Sequence, residues 1–263
     1  LLLHTVDDGG VVRVLMQHRA AWSHHGGTWG LPGGARDSHE DVVTAALREA
    51  GEETGLDRAQ IRTRHHYVDD HGGWAYTTVY ADIPQPVATV PNRESVSLEW
   101  VAVERVGALR LHPGFAQTWP AVRARPIVLL VDAANVVGSR PDGWWRDRAG
   151  AAARLLQQLA GMRAATLVGP TGEALMIGGA VAVVEGAAVD AAAPGWVQVQ
   201  RARGISGDDA LVGAADGLLA GGATVLAVSA DRGLRGRLLA LAGPHGVARL
   251  QVVGPRWLLD RLP

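Results

Sequence analysis

The segment Gly34-Ala-Arg-Asp-Ser-His-Glu40-Asp-Val-Val-Thr-Ala-Ala-Leu-Arg48-Glu49-Ala-Gly-Glu52-Glu53-Thr-Gly55-Leu56 reads as a loop running into a helix. Helical character covers residues 41–50. Ser38 is suited to cap the helix, with Asp41 three residues on as its reciprocal partner. Val42, Val43, Ala46, Leu47 and Ala50 fall on one apolar stripe. Glu49, Glu52 and Glu53 stand at i, i+3 and i+4 and therefore share a second face. Three carboxylates so placed repel one another unless a cation sits among them. Hard oxygen donors of this kind suit Mg²⁺ or Mn²⁺. Arg48 can pair with Glu52 one turn on, or with other carboxylates nearby.

The same segment resembles, at every fixed position, the signature of the Nudix hydrolases: Gly, five residues, Glu, seven residues, Arg-Glu, an apolar residue, any residue, Glu-Glu, any residue, Gly, an apolar residue. The preceding Gly26-Gly27-Thr28-Trp29-Gly30-Leu31-Pro32-Gly33-Gly34 is similar to the strand and loop that lead into that box. The resemblance covers residues 1–125 and implies an α/β/α sandwich of the MutT-like kind. It also implies Mg²⁺- or Mn²⁺-dependent hydrolysis of the pyrophosphate bond of a nucleoside triphosphate or nucleoside diphosphate derivative. By the match, Glu49, Glu52 and Glu53 are the metal ligands or the base, the Gly34 carbonyl a further ligand, and Arg48 the group that orients a glutamate. Members of the family often add a carboxylate from outside the box. Glu99, just before Trp100, is the first candidate and Glu94 the second.

Around that segment the 263 residues suffice for two domains. Hydrophobic residues make up 48% and charged ones 19%, which excludes a disordered chain. All 25 basic residues are arginine, so lysine Schiff bases and phosphate-loop lysines are excluded. There is no cysteine, which excludes disulfides, thiolate zinc sites and cysteine nucleophiles and fits a cytoplasmic protein. No apolar run reaches the roughly 20 residues that span a membrane, so no membrane partner is expected. The Pro-rich stretch around Pro113, Pro120 and Pro126 marks a boundary near Arg125. Residues 1–125 hold 12 arginines against 15 acids, and residues 126–263 hold 13 against 11.

In the first half, β-rich runs at 11–16 and 98–103 flank a hairpin of 61–67 with 74–81. In the second half the alternation changes. Ile127–Val131 is a continuous apolar run of the sort buried on both faces, and 224–228 and 247–252 read the same way. Helical segments at 146–159, 208–219 and 235–241 stand between or before them. Strand–helix alternation predicts a mainly parallel α/β sheet. Asp132 and Asp231 follow strands at their carboxyl ends, where open parallel sheets gather ligands. Asp208 and Asp209 open a helix nearby, and Asn135 follows Asp132 by three.

These pieces, Val131-Asp132-Ala-Ala-Asn135, Gly207-Asp208-Asp209 and Val228-Ser229-Ala230-Asp231, resemble the NYN branch of the PIN-like nucleases. That resemblance implies an aspartate cluster holding Mg²⁺ or Mn²⁺ and a domain, residues 126–263, that binds or cleaves RNA. Three readings therefore stand: a nucleotide pyrophosphatase, a metal-dependent ribonuclease with an auxiliary first half, and a second half that only binds.

For substrate contacts, Trp22, Trp29, Trp74 and Tyr76 offer stacking surfaces. Arg13 and Arg19 are candidates for phosphate, and Asn135 for RNA. The pairs His24-His25 and His65-His66 look like metal ligands, but neighbours on a strand point to opposite faces. Neither pair is therefore expected to share an ion.

Overall fold

The structure is a computed structural model that describes residues 1–263. It divides into two compact units. The first comprises 1–125 with 164–176, and the second 126–163 with 177–263. The sequence division at 125 kept all of 126–263 together, whereas residues 164–176 are counted with the first unit.

The first unit contains β1 (Leu2–Val6), β2 (Val12–Arg19), β3 (Trp29–Gly30), α1 (Val42–Thr54), β4 (Arg62–Asp70), β5 (Ala75–Asp82), β6 (Ser95–Ala102), α2 (Val103–Val106) and α3 (Pro113–Val122). Its sheet runs β3-β2-β1-β5-β4, with β6 also on β2. β1 is parallel to β5 and antiparallel to β2.

Alternation along the strands makes two cores, because successive side chains leave a strand on opposite faces. Leu1, Leu3 and Leu15 pack with Ala50, Ala46 and Leu47 of α1. Leu2, Val14 and Met16 pack with Phe115, Trp119 and Val122 of α3. A sheet between helices is thus the observed architecture of this unit.

α1 begins at Val42, and its N-cap is Asp41, not Ser38. Asp41 Oδ1 accepts from Val43 N at 2.9 Å and Thr44 N at 3.0 Å. Both residue types cap well; the choice falls on Asp41 because the 36–40 turn before it is tied to Arg48. The helix runs four residues past the expected Ala50 and ends at Gly55, whose φ of 69° suits glycine. Glu49, Glu52 and Glu53 therefore occupy its C-terminal end. That is the negative end of the helix dipole, where acidic groups weaken a helix. Their placement costs stability, which argues that they serve something else.

The remaining elements are β7 (Arg125–Asp132), α4 (Ala133–Gly138), α5 (Arg148–Ala160), β8 (Thr166–Val168), β9 (Ala174–Val184), β10 (Val197–Arg201), α6 (Gly207–Ala220), β11 (Val225–Val228), α7 (Arg232–His245), β12 (Leu250–Val253) and α8 (Pro255–Leu259). The second sheet runs β10-β9-β7-β11-β12. β7 with β11, β11 with β12 and β9 with β10 are parallel pairs. α6 and α7 cover it through Leu211, Leu219, Leu234 and Leu238. The hairpin of β8 with the start of β9 brings Ala164, Ala174 and Met176 into the α3 core of the first unit. No helix is long and apolar enough to cross a membrane.

Candidate active site

Arg48 organises the end of α1. Its Nε and Nη2 donate to the two oxygens of Glu40 at 2.9 and 3.1 Å, a bidentate fork that a planar guanidinium is shaped for. Nη2 also reaches the Ala35 carbonyl at 3.1 Å, which ties the loop to the helix. Nη1 donates to Glu49 Oε1 at 2.8 Å and stands 3.5 Å from Glu52 Oε2. The guanidinium holds the Glu40 carboxyl below the usual carboxylate range. One arginine thus fixes three glutamates. Arg48→Lys, which offers one point charge in place of a fork, is expected to lower kcat about 10- to 100-fold, the usual range when a group that orients a ligand is lost. Kinetics at several Mg²⁺ concentrations would show it as weaker metal activation.

Glu53 is the buried member, 5% exposed. Its Oε2 accepts from Gly33 N at 2.7 Å. Burial raises its pKa, the Gly33 N–H and the Gln17 amide oppose that, and the charges of Glu49 and Glu94 add to it. A buried carboxylate facing other carboxylates is what a divalent cation would neutralise, so this donor set fits Mg²⁺ or Mn²⁺. Gly34 lies against Glu49 so closely that a Cβ there would overlap the Glu49 carboxylate. Gly34→Ala should therefore displace Glu49, which Arg48 otherwise holds in place. The expected result is at least about tenfold lower kcat, as for other lost orienting groups, with an unchanged melting temperature.

Gly33 also lines a cavity of about 540 Å³ whose walls include Arg19, Asp69, Trp74, Tyr76, Phe115 and Thr118. The hairpin of β4 and β5 forms one wall and α3 the other. Trp74 stacks on His71 at 4.3 Å. Asp69 Oδ2 accepts from Thr118 Oγ1 at 3.0 Å, joining the two walls. Burial raises the Tyr76 phenol, with the Glu53 charge adding and the Arg19 charge opposing. Gly33 links the cavity to the glutamate cluster, since it lines the one and donates its N–H to Glu53 of the other.

The family model of the NUDIX domain matches residues 3–122. The first half of the chain is a Nudix domain. A Mycobacterium tuberculosis protein named "Putative 8-oxo-dGTP diphosphatase 3" is 51% identical over 132 residues, which are 48% of this chain and 61% of that protein. A Bifidobacterium longum protein, "Nucleoside triphosphate pyrophosphatase/Nudix hydrolase fusion protein", is 43% identical over 121 residues, 44% of this chain and 25% of its own length. Among solved structures, a Nudix hydrolase from M. smegmatis, RenU, is 52% identical with a TM-score of 0.45, covering 46% of this chain and 80% of that one. The chain thus spans about three fifths of the length of the M. tuberculosis relative.

Within the Nudix domain, Glu49, Glu52, Glu53, Gly34 and Arg48 lie together at the end of α1. Glu99 does not join them. It pairs with Met16 across β2 and β6, and Met16 faces the α3 core. Leu98 and Trp100 face α1 instead. Alternation therefore puts Glu99 on the sheet face opposite the glutamates. Glu94, the second candidate, is the outside carboxylate whose charge acts on Glu53.

Arg13 is also displaced from its expected role. Its Nε is 2.6 Å from Asp7 Oδ2 and its Nη1 donates to the Trp100 carbonyl at 3.1 Å, so it secures the sheet. Arg19 does line the cavity. Sequence reasoning missed Gln17, a fully buried polar residue inside the apolar run of β2. A polar side chain at an inward position was the available signal.

In the second unit, a pocket of about 140 Å³ is lined by Asp132, Asn135, Glu185, Asp208 and Asp231, among others. Ser229 Oγ donates to Asp132 Oδ2 at 2.9 Å, and Asn135 N to Oδ1 at 3.0 Å. Ala230 N donates to Asn135 Oδ1 at 2.9 Å. Burial raises the Asp132 pKa, those bonds oppose it, and the charges of Asp208 and Glu185 add to it. Asp209 is not part of the group. It is exposed and bonded to Arg237 Nη2 at 2.6 Å, because successive helical residues point about 100° apart. Glu185 takes the fourth place. Its Oε2 accepts from Gly207 N at 3.0 Å.

Proposed function

We propose that the Nudix domain hydrolyses the pyrophosphate linkage of a nucleoside triphosphate or nucleoside diphosphate derivative. The observation that carries this reading is the set Glu49, Glu52 and Glu53, the first two beside Arg48 and the third held by the N–H of Gly33, a residue that also lines the cavity. Water attacks phosphorus and a bridging P–O bond breaks, so a triphosphate yields a monophosphate and pyrophosphate. Glu49, Glu52, Glu53 and the Gly34 carbonyl would hold Mg²⁺ or Mn²⁺. The ion would neutralise phosphate charge and lower the pKa of water.

The residues of the chain supply the rest. Glu53, if it is the base of the set rather than a ligand, would accept a proton from the attacking water. The Arg48 cation offsets the repulsion between Glu49 and Glu52. Arg19 offers the cavity a fixed cation for phosphate, and Trp74, Tyr76 and Phe115 offer flat surfaces for a base. The identity with the M. tuberculosis protein makes an oxidised purine triphosphate the first substrate to assay. Release of monophosphate from a nucleotide panel with Mg²⁺ tests the reading; no turnover of any member would reject it for those substrates.

A second reading rests on the second unit. Asp132, Glu185, Asp208 and Asp231 share one pocket at the carboxyl ends of β7 and β11, and such a group would hold Mg²⁺ or Mn²⁺ for RNA cleavage. An Asp132→Asn, Asp231→Asn double variant should then lose metal-dependent cleavage of labelled RNA. Cleavage at the parental rate would reject ribonuclease action there. RNA binding without cleavage by the parent would favour a binding domain instead.

A further inference from the structure

We propose that His24, His25 and His112 form a transition-metal site of the Zn²⁺ class at the rim of the Nudix cavity, separate from the glutamates of α1. The ligand nitrogens of the three imidazoles lie within 4.8 Å of one another. The proposal does not depend on which nucleotide the enzyme takes.

Adjacent histidines on a strand would diverge. These two lie in the turn between β2 and β3, and His25 has a φ of 54°, so both rings come to one side. Their centroids are 4.1 Å apart, and His25 stands 4.7 Å from His112. The backbone fixes this meeting. Trp29 N donates to the Arg110 carbonyl and His112 N to the Trp29 carbonyl, both at 2.8 Å. These bonds clamp the segment before α3 to β3. On the other side, Thr28 Oγ1 donates to the His25 carbonyl at 2.6 Å and Gly26 N to Ser23 O at 2.9 Å. The backbone is hydrogen-bonded on both sides, while the rings of His24 and His25 are exposed and that of His112 is half-buried.

The chemistry selects the ion. Imidazole nitrogen suits Zn²⁺, Cu²⁺ and Ni²⁺, whereas Mg²⁺ prefers oxygen. Zn–N bonds of about 2.0–2.1 Å place tetrahedral ligand atoms about 3.3 Å apart. Rotation of two exposed rings closes the difference. Three protein ligands leave a fourth position open. His112 and Arg19 both line the cavity, so that position lies at its rim. Bound metal would join the 20–28 turn to the start of α3 and stiffen one wall of the cavity.

Zinc binding to the full chain, measured by calorimetry in excess Mg²⁺, tests this. One Zn²⁺ per chain is expected. His112→Gln and the His24→Ala, His25→Ala double variant should each weaken it at least about a hundredfold, more than the loss of an outer-shell partner costs. Co²⁺ should give the visible spectrum of a tetrahedral site in the parent and not in these variants. A Glu52→Gln variant should bind Zn²⁺ as the parent does. Asp37, His39 and Glu40 form a separate group of possible ligands. No zinc binding, or binding that survives the histidine changes, or binding lost with Glu52→Gln or with His39→Ala, would overturn the proposal.

Discussion

Glu53→Gln is expected to lower kcat by about 10²–10⁴, the range associated with losing a positioned acid–base group. The substitution keeps shape and one acceptor. The amide oxygen can still receive the Gly33 N–H that now reaches Oε2 at 2.7 Å. What disappears is a charge that is almost wholly buried and that feels Glu49 and Glu94. Without metal, that charge destabilises the fold, so the neutral variant should melt no lower than the parent. With Mg²⁺, the parent should gain thermal stability through binding to the folded state, and the variant should gain less. The pair of measurements separates a catalytic role from a structural one. A kcat within threefold of the parent would remove Glu53 from the chemistry.

What the sequence disclosed follows the range of the interactions involved. α1 and its three glutamates were legible because helical period and the spacing of the box are both local. The cap was misassigned because Ser38 and Asp41 are equally suited by type; a contact eight residues long, Arg48 to Glu40, decides between them. Glu99 was misplaced because its face depends on the register of β6 against β2, which no local pattern reports. Asp208 and Asp209 are neighbours of the same type. Arg237, 28 residues on, takes one and leaves the other to the pocket. The strand alternation that separates adjacent side chains does not apply to His24 and His25, because the chain turns there. The cavity itself needs a hairpin and a helix joined through Asp69 and Thr118, 49 residues apart. The parallel sheet of the second half was legible because its buried strands are short, continuous and apolar. β9 was missed because its glycines, Gly178 and Gly179, interrupt the β-branched pattern.

Acidification from pH 7 to pH 4 is expected to remove about 3 kcal/mol of stability through His4 alone. His4 lies on β1, wholly buried, on the face that meets α3. Burial, with a smaller push from nearby His65 and against backbone hydrogen bonds to Ala81 and Leu2, lowers its pKa from the ordinary 6.5 to about 4. The unfolded chain therefore takes up a proton below pH 6.5 that the folded chain refuses until about pH 4. Stability from this residue is complete above pH 6.5, falls by about 1.4 kcal/mol per pH unit between the two values, and is flat below. The loss bears on the site because of what His4 touches. Its ring lies parallel to Tyr80 at 6.4 Å, and the Tyr80 hydroxyl donates to the Val122 carbonyl at the end of α3. A cation forced into that layer would loosen the helix that walls the cavity. Glu53 and Asp132, whose raised pKa values act in the opposite sense, partly mask the slope in the parent. Urea denaturation of the parent and of His4→Leu across pH 4–7 isolates the histidine. The variant should lack the acid-side loss, and parallel curves for the two proteins would show that His4 is not its source.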